Sequence, residues 1–341
     1  MTVLATTAPD DQDLAVFDSS LQLADSEALS VGVKRVTMEQ LERAAGGFFE
    51  TRGPIGPAVH ESRKAVKRVR ALLRLVRGEL PDRIFEFENR SLRDTSRLIA
   101  DVRSSQGVVN AAESIQRIYG DLLAEGTFEE MRLRLGRRRD LAELQAVEDP
   151  NRLGRVVRGL ERAYHRFESW PTDLEAREVY GMGIRDSYSA LAPGLGKTYD
   201  LGRHKMVIAY RRGGPGDFHE WRKRVKDMRH QMEFLSPLWP EVVVGMAMTL
   251  ERLGNILGDD NDLAELSLLL SSRPDLCPEP RERSLLRALA TQRRTELQLA
   301  AEILGRRVYA EQQKSLSSRF AEYWEARKMV ATGTLETISV Y

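Results

Sequence analysis

One cysteine, Cys277, occurs in the 341 residues, so no intrachain disulfide can form and a reducing compartment is expected. No apolar run approaches the roughly twenty residues that span a bilayer. Nor does the amino terminus join a basic segment to an apolar one. These absences predict a soluble, cytoplasmic protein with no membrane partner. Alternating strand-like runs are scarce, which argues against a sheet protein. The length suffices for one large or two ordinary domains with a real apolar core, so neither disulfides nor a metal is needed to hold the chain together.

Charge of one sign is missing from two places. Residues 1–33 contain Asp10, Asp11, Asp13, Asp18, Asp25 and Glu27 but no Lys or Arg, so a chain of formal net charge +1 begins with a segment of −6 and continues with a body of +7. Residues 1–30, rich in Thr, Ala, Ser and Asp without sustained periodicity, are expected to be a disordered tail. The second gap is the reverse: residues 62–78 hold no Asp or Glu while carrying many Arg and Lys.

What the chain does have is helical periodicity. From about Val36 apolar residues recur at three and four, with Leu, Ala, Glu and Arg between Gly/Pro breaks, and the fold class is all-α. Helices are expected at about 36–49, 57–78, 82–104, 107–125, 128–146, 151–168, 172–190, 195–212, 217–236, 240–257, 260–271, 279–305 and 312–329.

The chain is also written twice. "HESRKAVKRVR" at 60–70 and "HEWRKRVKDMR" at 219–229 agree at seven of eleven positions with an offset of 159, and each follows a Gly-Pro turn. "SLRDTSRLIADVRS" at 91–104 aligns with "TLERLGNILGDDND" at 249–262 at an offset of 158. A duplication with halves near 31–190 and 191–341 follows. Asp217 and Glu220 read as a capping box opening the second basic helix.

Val66, Val69, Leu73, Val76 and Leu80 form one core-facing seam, as do Val225, Met228, Met232 and Leu235. His60, Arg63, Lys67, Arg70, Arg74 and Arg77 cluster roughly 80° round from the first seam, and His219, Arg222, Lys226 and Arg229 hold the equivalent, shorter band, where Glu233 replaces Arg74. A band bordering the seam leans toward whatever packs alongside, which makes a groove. Lys64 and Lys223 adjoin it, and neighbouring helices could add Arg90, Arg97, Lys197, Arg203, Lys205, Arg306 and Lys314. Basic residues on a helix ordinarily solvate it in i,i+4 pairs with acids, but a run without acids repels itself and calls for an outside anion.

Other motifs carry less. "PGLGKT" at 193–198 lacks the first glycine of a phosphate-binding loop, Leu191 standing there, and follows a helical pattern instead of a strand. No histidine is preceded by Glu at the spacing of a di-iron bundle. "GDDND" at 258–262 reads as turn and cap chemistry before it reads as a cation site.

Together the two "HExRKxVKxxR" segments, "LGDDND" at 257–262 read as a turn, "YDLGRHK" at 199–205 and "LGRRVYAEQQKSLSSRFAEYW" at 304–324 resemble the CHAD domain (conserved histidine α-helical domain). The resemblance covers about 31–330. It implies two pseudo-symmetric antiparallel four-helix-type bundles around a basic central cavity that binds inorganic polyphosphate, with association to polyphosphate granules in bacteria. The His, Arg and Lys residues of the two segments are then the binding residues. The family turn motif resembles LGxxRD, and here Asn261-Asp262 and Arg103-Ser104 stand in place of its Arg-Asp.

Polyphosphate poses the backbone problem of a nucleic acid without the bases. Arg forks across two phosphate oxygens and Lys supplies a movable point charge. Aromatic residues are sparse within the bands, Trp221 being the nearest, which disfavours single-stranded nucleic acid as the primary ligand. His60 and His219 either donate to phosphate or orient their helix starts, and His230 reads as packing. The expected function is polyphosphate binding without catalysis and without a cofactor, with granule proteins as further partners. The alternatives are an enzyme acting on phosphoanhydrides, through Asp259 and Asp262, and a helical adaptor for nucleic acid or acidic proteins.

Overall fold

The computed structural model describes residues 18–50, 54–122, 127–173 and 182–331. Among them the apolar spacing gives eleven α-helices and no strand: α1 (Leu29–Glu50), α2 (Gly56–Leu75), α3 (Asp82–Arg97), α4 (Ala100–Tyr119), α5 (Thr127–Glu148), α6 (Pro150–Glu168), α7 (Tyr188–Arg212), α8 (Pro215–Leu235), α9 (Pro240–Ser272), α10 (Pro280–Val308) and α11 (Gln313–Ala331).

Several expected boundaries move, each for a physical reason. The break placed between 104 and 107 falls at Leu98 and Ile99, ending α3. The opposite error occurs in the second half: the turn expected at 257–262 is the interior of the unbroken α9, because its glycines admit a neighbour and do not bend the chain. Of the helix expected over 172–190, residues 174–181 lie outside those described and residues 182–187 are not helical, so the helix opens only at Tyr188, the start of α7. No capping box forms at α8, which starts on Pro215 after Gly214 with no side-chain cap. Proline at the first helical position loses no bonded N–H, which suffices to fix the start.

Residues 18–30, assigned above to the tail, are packed, and the remaining tail lies outside the described residues. Leu21 and Leu23 are buried, Leu23 N–H donates to Phe234 O at 3.0 Å, and Arg35 holds the segment through Gln22 O at 2.7 Å and Glu27 at 2.8 Å. Acidic composition concealed two apolar anchors.

Helix α1 packs on α2 and α6, α3 on α2 and α6, α8 on α7 and α9, and α11 on α7. The α2 and α8 seams are buried, with Val66, Val69, Leu73, Val225, Met228 and Met232 all at 1% exposure or less, so the heptad reading placed the core correctly. Burying each such side chain contributes about 1.5–3 kcal/mol relative to leaving it in water. A second apolar cluster joins Val109 and Ile115 of α4, Met131 and Leu135 of α5, Leu266 of α9 and Leu286 of α10. Helix α2 also packs directly on α8, which brings the two basic segments together.

Candidate functional site

Each basic segment lies beside a helix that receives its cations. On α2, Arg63 donates to the backbone carbonyl of Ser96 at 2.7 Å and Arg70 Nε to Asn89 Oδ1 at 2.9 Å, both on α3. On α8, Arg222 Nε donates to the carbonyl of Gly254 on α9 at 3.4 Å. Arg222 is Arg63 shifted by 159 and Gly254 is Ser96 shifted by 158, so one contact recurs at the offsets read from the sequence.

Gly254 and Gly258 of α9 lie against the cations of α8. A Cβ at Gly258 would stand 2.7 Å from Arg222 Nη2, and one at Gly254 3.6 Å from Lys226 Cγ. Bare backbone at Gly258 therefore seats Arg222, while Gly254 leaves only ordinary contact with Lys226. Beyond them His219 Nδ1 lies 2.8 Å from Asn261 Oδ1. Burial pushes the His219 pKa below its usual value, and the charges of Lys223 and Arg222 push the same way, which fits a neutral ring donating to the amide. His219 thus orients α8 against α9. His60, with half its side chain exposed, has Nε2 3.9 Å from Glu61 Oε1.

The segments meet where α2 crosses α8. Arg74 Nη1 lies 3.2 Å from Asp227 Oδ1 while its Nη2 donates to Asn89 Oδ1 at 3.2 Å. Arg224 Nη1 takes the other Asp227 oxygen at 2.9 Å. The side chains of Arg74, Arg224 and Asp227 are only 17, 19 and 12% exposed. Arg70, Arg74 and Arg224 thus crowd one carboxylate. Burial first, then the charge of Arg74 with those of Arg93 and Arg224, depresses the Arg70 guanidinium to about 10 against the pull of Asp227. A shift of that size corresponds to ~3 kcal/mol disfavouring the charged form.

The other side of the crossing is balanced. Glu233, in the position that Arg74 holds in the first half, accepts from Arg229 Nη2 at 2.7 Å and lies 2.7 Å from His230 Nδ1. Burial works to raise its pKa, but the bond to His230 and the charges of His230, Arg229 and Arg68 hold it at about 2. Arg68, the buried counterpart of Asp227 in the first half, feels the charge of Glu233 in turn. Arg68 and Glu233 occupy the repeat-equivalent positions of Asp227 and Arg74, and Arg68 Nη1 donates to Gln40 Oε1 at 3.2 Å. Arg229 also reaches Glu251 at 3.1 Å, so its charge is compensated within the protein.

A sequence model of the CHAD domain matches residues 39–271, more than half of the chain. The chain belongs to the CHAD domain family. That family is associated with polyphosphate and triphosphate binding. The matched span contains both basic segments and their partner helices α3 and α9. None of the curated proteins compared matches the chain.

The other CHAD motifs are packing devices. Tyr199 donates to Glu311 O at 2.9 Å, and a Cβ at Gly202 would stand 2.3 Å from the Tyr309 hydroxyl. Trp221 is fully buried over Gly305, so it cannot stack on a base. Where the family motif has Arg-Asp, Asn261 bonds His219 and, through Nδ2, Glu265 at 3.0 Å.

The remaining expected residues distribute around this core. Lys67 is exposed on α2 and Lys226 half-buried on α8, while Lys64 and Lys223 sit 3.8 and 2.5 Å from Glu61 and Glu220. Arg90 and Arg97 are exposed on α3, Arg97 lying 3.5 Å from Asp94. Lys197 lines a shallow cavity of about 490 Å³ with Asp200, His204 and Gln313. Arg203 donates to Gln312 at 3.1 Å and Arg306 to Glu302 at 2.7 Å. Lys205 is half-buried on α7 and Lys314 exposed on α11. Sequence reasoning missed Arg224, because its repeat counterpart is Ala65 and comparing the copies discards it; Asn89 and Arg93 were missed because α3 carries no basic run.

Proposed function

We propose that this CHAD protein binds inorganic polyphosphate without acting on it chemically, and that it joins polyphosphate granules in the cytoplasm. The observation that carries the reading is the α2–α8 crossing, where Arg70, Arg74 and Arg224 gather round the carboxylate of Asp227. Crowded, half-buried guanidiniums destabilise the protein that holds them, and an anion laid across them removes that cost. A flexible chain with about one charge per phosphate can run from the α2–α3 groove, past the crossing, into the α8–α9 groove. The recurrence of the Arg63 contact at Arg222 supports two pseudo-symmetric bundles, α1–α2–α3–α6 and α7–α8–α9–α11, enclosing a basic cavity.

A competition titration tests the ligand. Polyphosphate, RNA and ATP are titrated at matched salt with released phosphate monitored in the same tube. Polyphosphate should displace the other two with no phosphate released. Tighter RNA binding would replace this reading with a nucleic-acid adaptor. Mg²⁺-dependent phosphate release that disappears in Asp259→Asn and Asp262→Asn would replace it with an enzyme.

A further inference from the structure

Helix α5 is apolar on two faces. Phe128, Met131, Leu135 and Ala146 are buried, Met131 and Leu135 in the cluster shared with α4, α9 and α10, yet Leu133, Leu141, Leu144 and Val147 are 48, 53, 51 and 49% exposed. A helix with one apolar face needs one partner, and a helix with two needs another.

The exposed face has an order of its own. Glu130, Leu133, Arg137, Asp140, Leu144 and Val147 are all exposed and recur at alternating steps of three and four, the seam spacing of a coiled coil. Reversed about the midpoint between Arg138 and Arg139, the series maps onto itself, and its four inner positions are complementary: Leu133 meets Leu144 and Arg137 meets Asp140, while Glu130 meets Val147 at the ends. A surface complementary to its own reversed copy is what a twofold interface requires.

We propose that the occupant of this face is α5 of a second copy, packed antiparallel. Two central Arg137–Asp140 pairs fix the register, and two flanking Leu133–Leu144 layers supply the apolar contact. Asp140 already lies 2.7 Å from Arg139 of its own helix, so the cross-copy pair adds a second cation to a carboxylate that is 64% exposed. The basic segments lie on α2 and α8, not on α5, so the pairing joins two polyanion sites in one particle.

Sedimentation equilibrium on the full chain tests this with a charge swap. The parent should sediment at twice 38.7 kDa at micromolar concentration. Arg137→Asp should weaken the dimer at least tenfold by facing Asp140 with a carboxylate, and Arg137→Asp combined with Asp140→Arg should recover it. Leu144→Glu should give a monomer with unchanged helical circular dichroism, and the swap series decides the matter if that variant fails to fold. A parent that stays monomeric, or a double variant no tighter than Arg137→Asp alone, overturns the proposal.

Discussion

At the scale of the residue, Glu233 decides how the second basic segment ends. Its carboxylate, held at about 2, replaces an arginine and compensates Arg229 beside it. A carboxyl whose folded pKa lies below its unfolded value stabilises fully above the unfolded value near 4.5 and loses that contribution as pH falls toward 2. Glu233→Gln should therefore cost about 3 kcal/mol at neutral pH, since it removes a buried counter-charge near Arg68 and one of the two carboxylates at Arg229, and urea unfolding should show the gap to the parent narrowing at pH 3. A gap that widens on acidification would contradict the assignment. The bands were legible from the sequence at this scale because each lies on one helix. The pairs across the crossing were not, since Arg74 and Asp227 stand 153 residues apart and nothing local announces them.

At the scale of the element, glycine marks close approach more often than breakage. Gly194 of the "PGLGKT" stretch sits inside α7, and a Cβ there would stand 2.0 Å from Leu75 O and 2.3 Å from Arg74 O. Both are backbone atoms at the end of α2, so they cannot swing aside. Gly194→Ala should cost about 3 kcal/mol by overpacking and should loosen the hold on Arg74; a denaturation midpoint equal to the parent's would show the crossing to be less tight than described. The same logic makes α9 continuous through Gly254 and Gly258, where a breaker reading put a turn. Helical class and the core seams were legible because period and burial coincide, whereas helix boundaries depended on backbone contacts that a single sequence does not display.

At the scale of the whole molecule, the likeness of the two basic segments stands openly in the sequence, and one contact recurs at its offsets. The charge is what the copies do not share. The first half places Arg70 and Arg74 at the crossing and the second adds Arg224, while Glu233 and Glu251 compensate the second band. The measurement that tests this most directly is polyphosphate affinity as a function of salt for the parent and for Arg70→Ala combined with Arg224→Ala, with unfolding midpoints of the ligand-free proteins taken alongside. Removing two crowded cations should weaken binding at least tenfold and flatten the slope of log K against log salt by roughly 1.4, with the midpoint unchanged or raised. Equal affinity and slope in the two proteins would contradict the account.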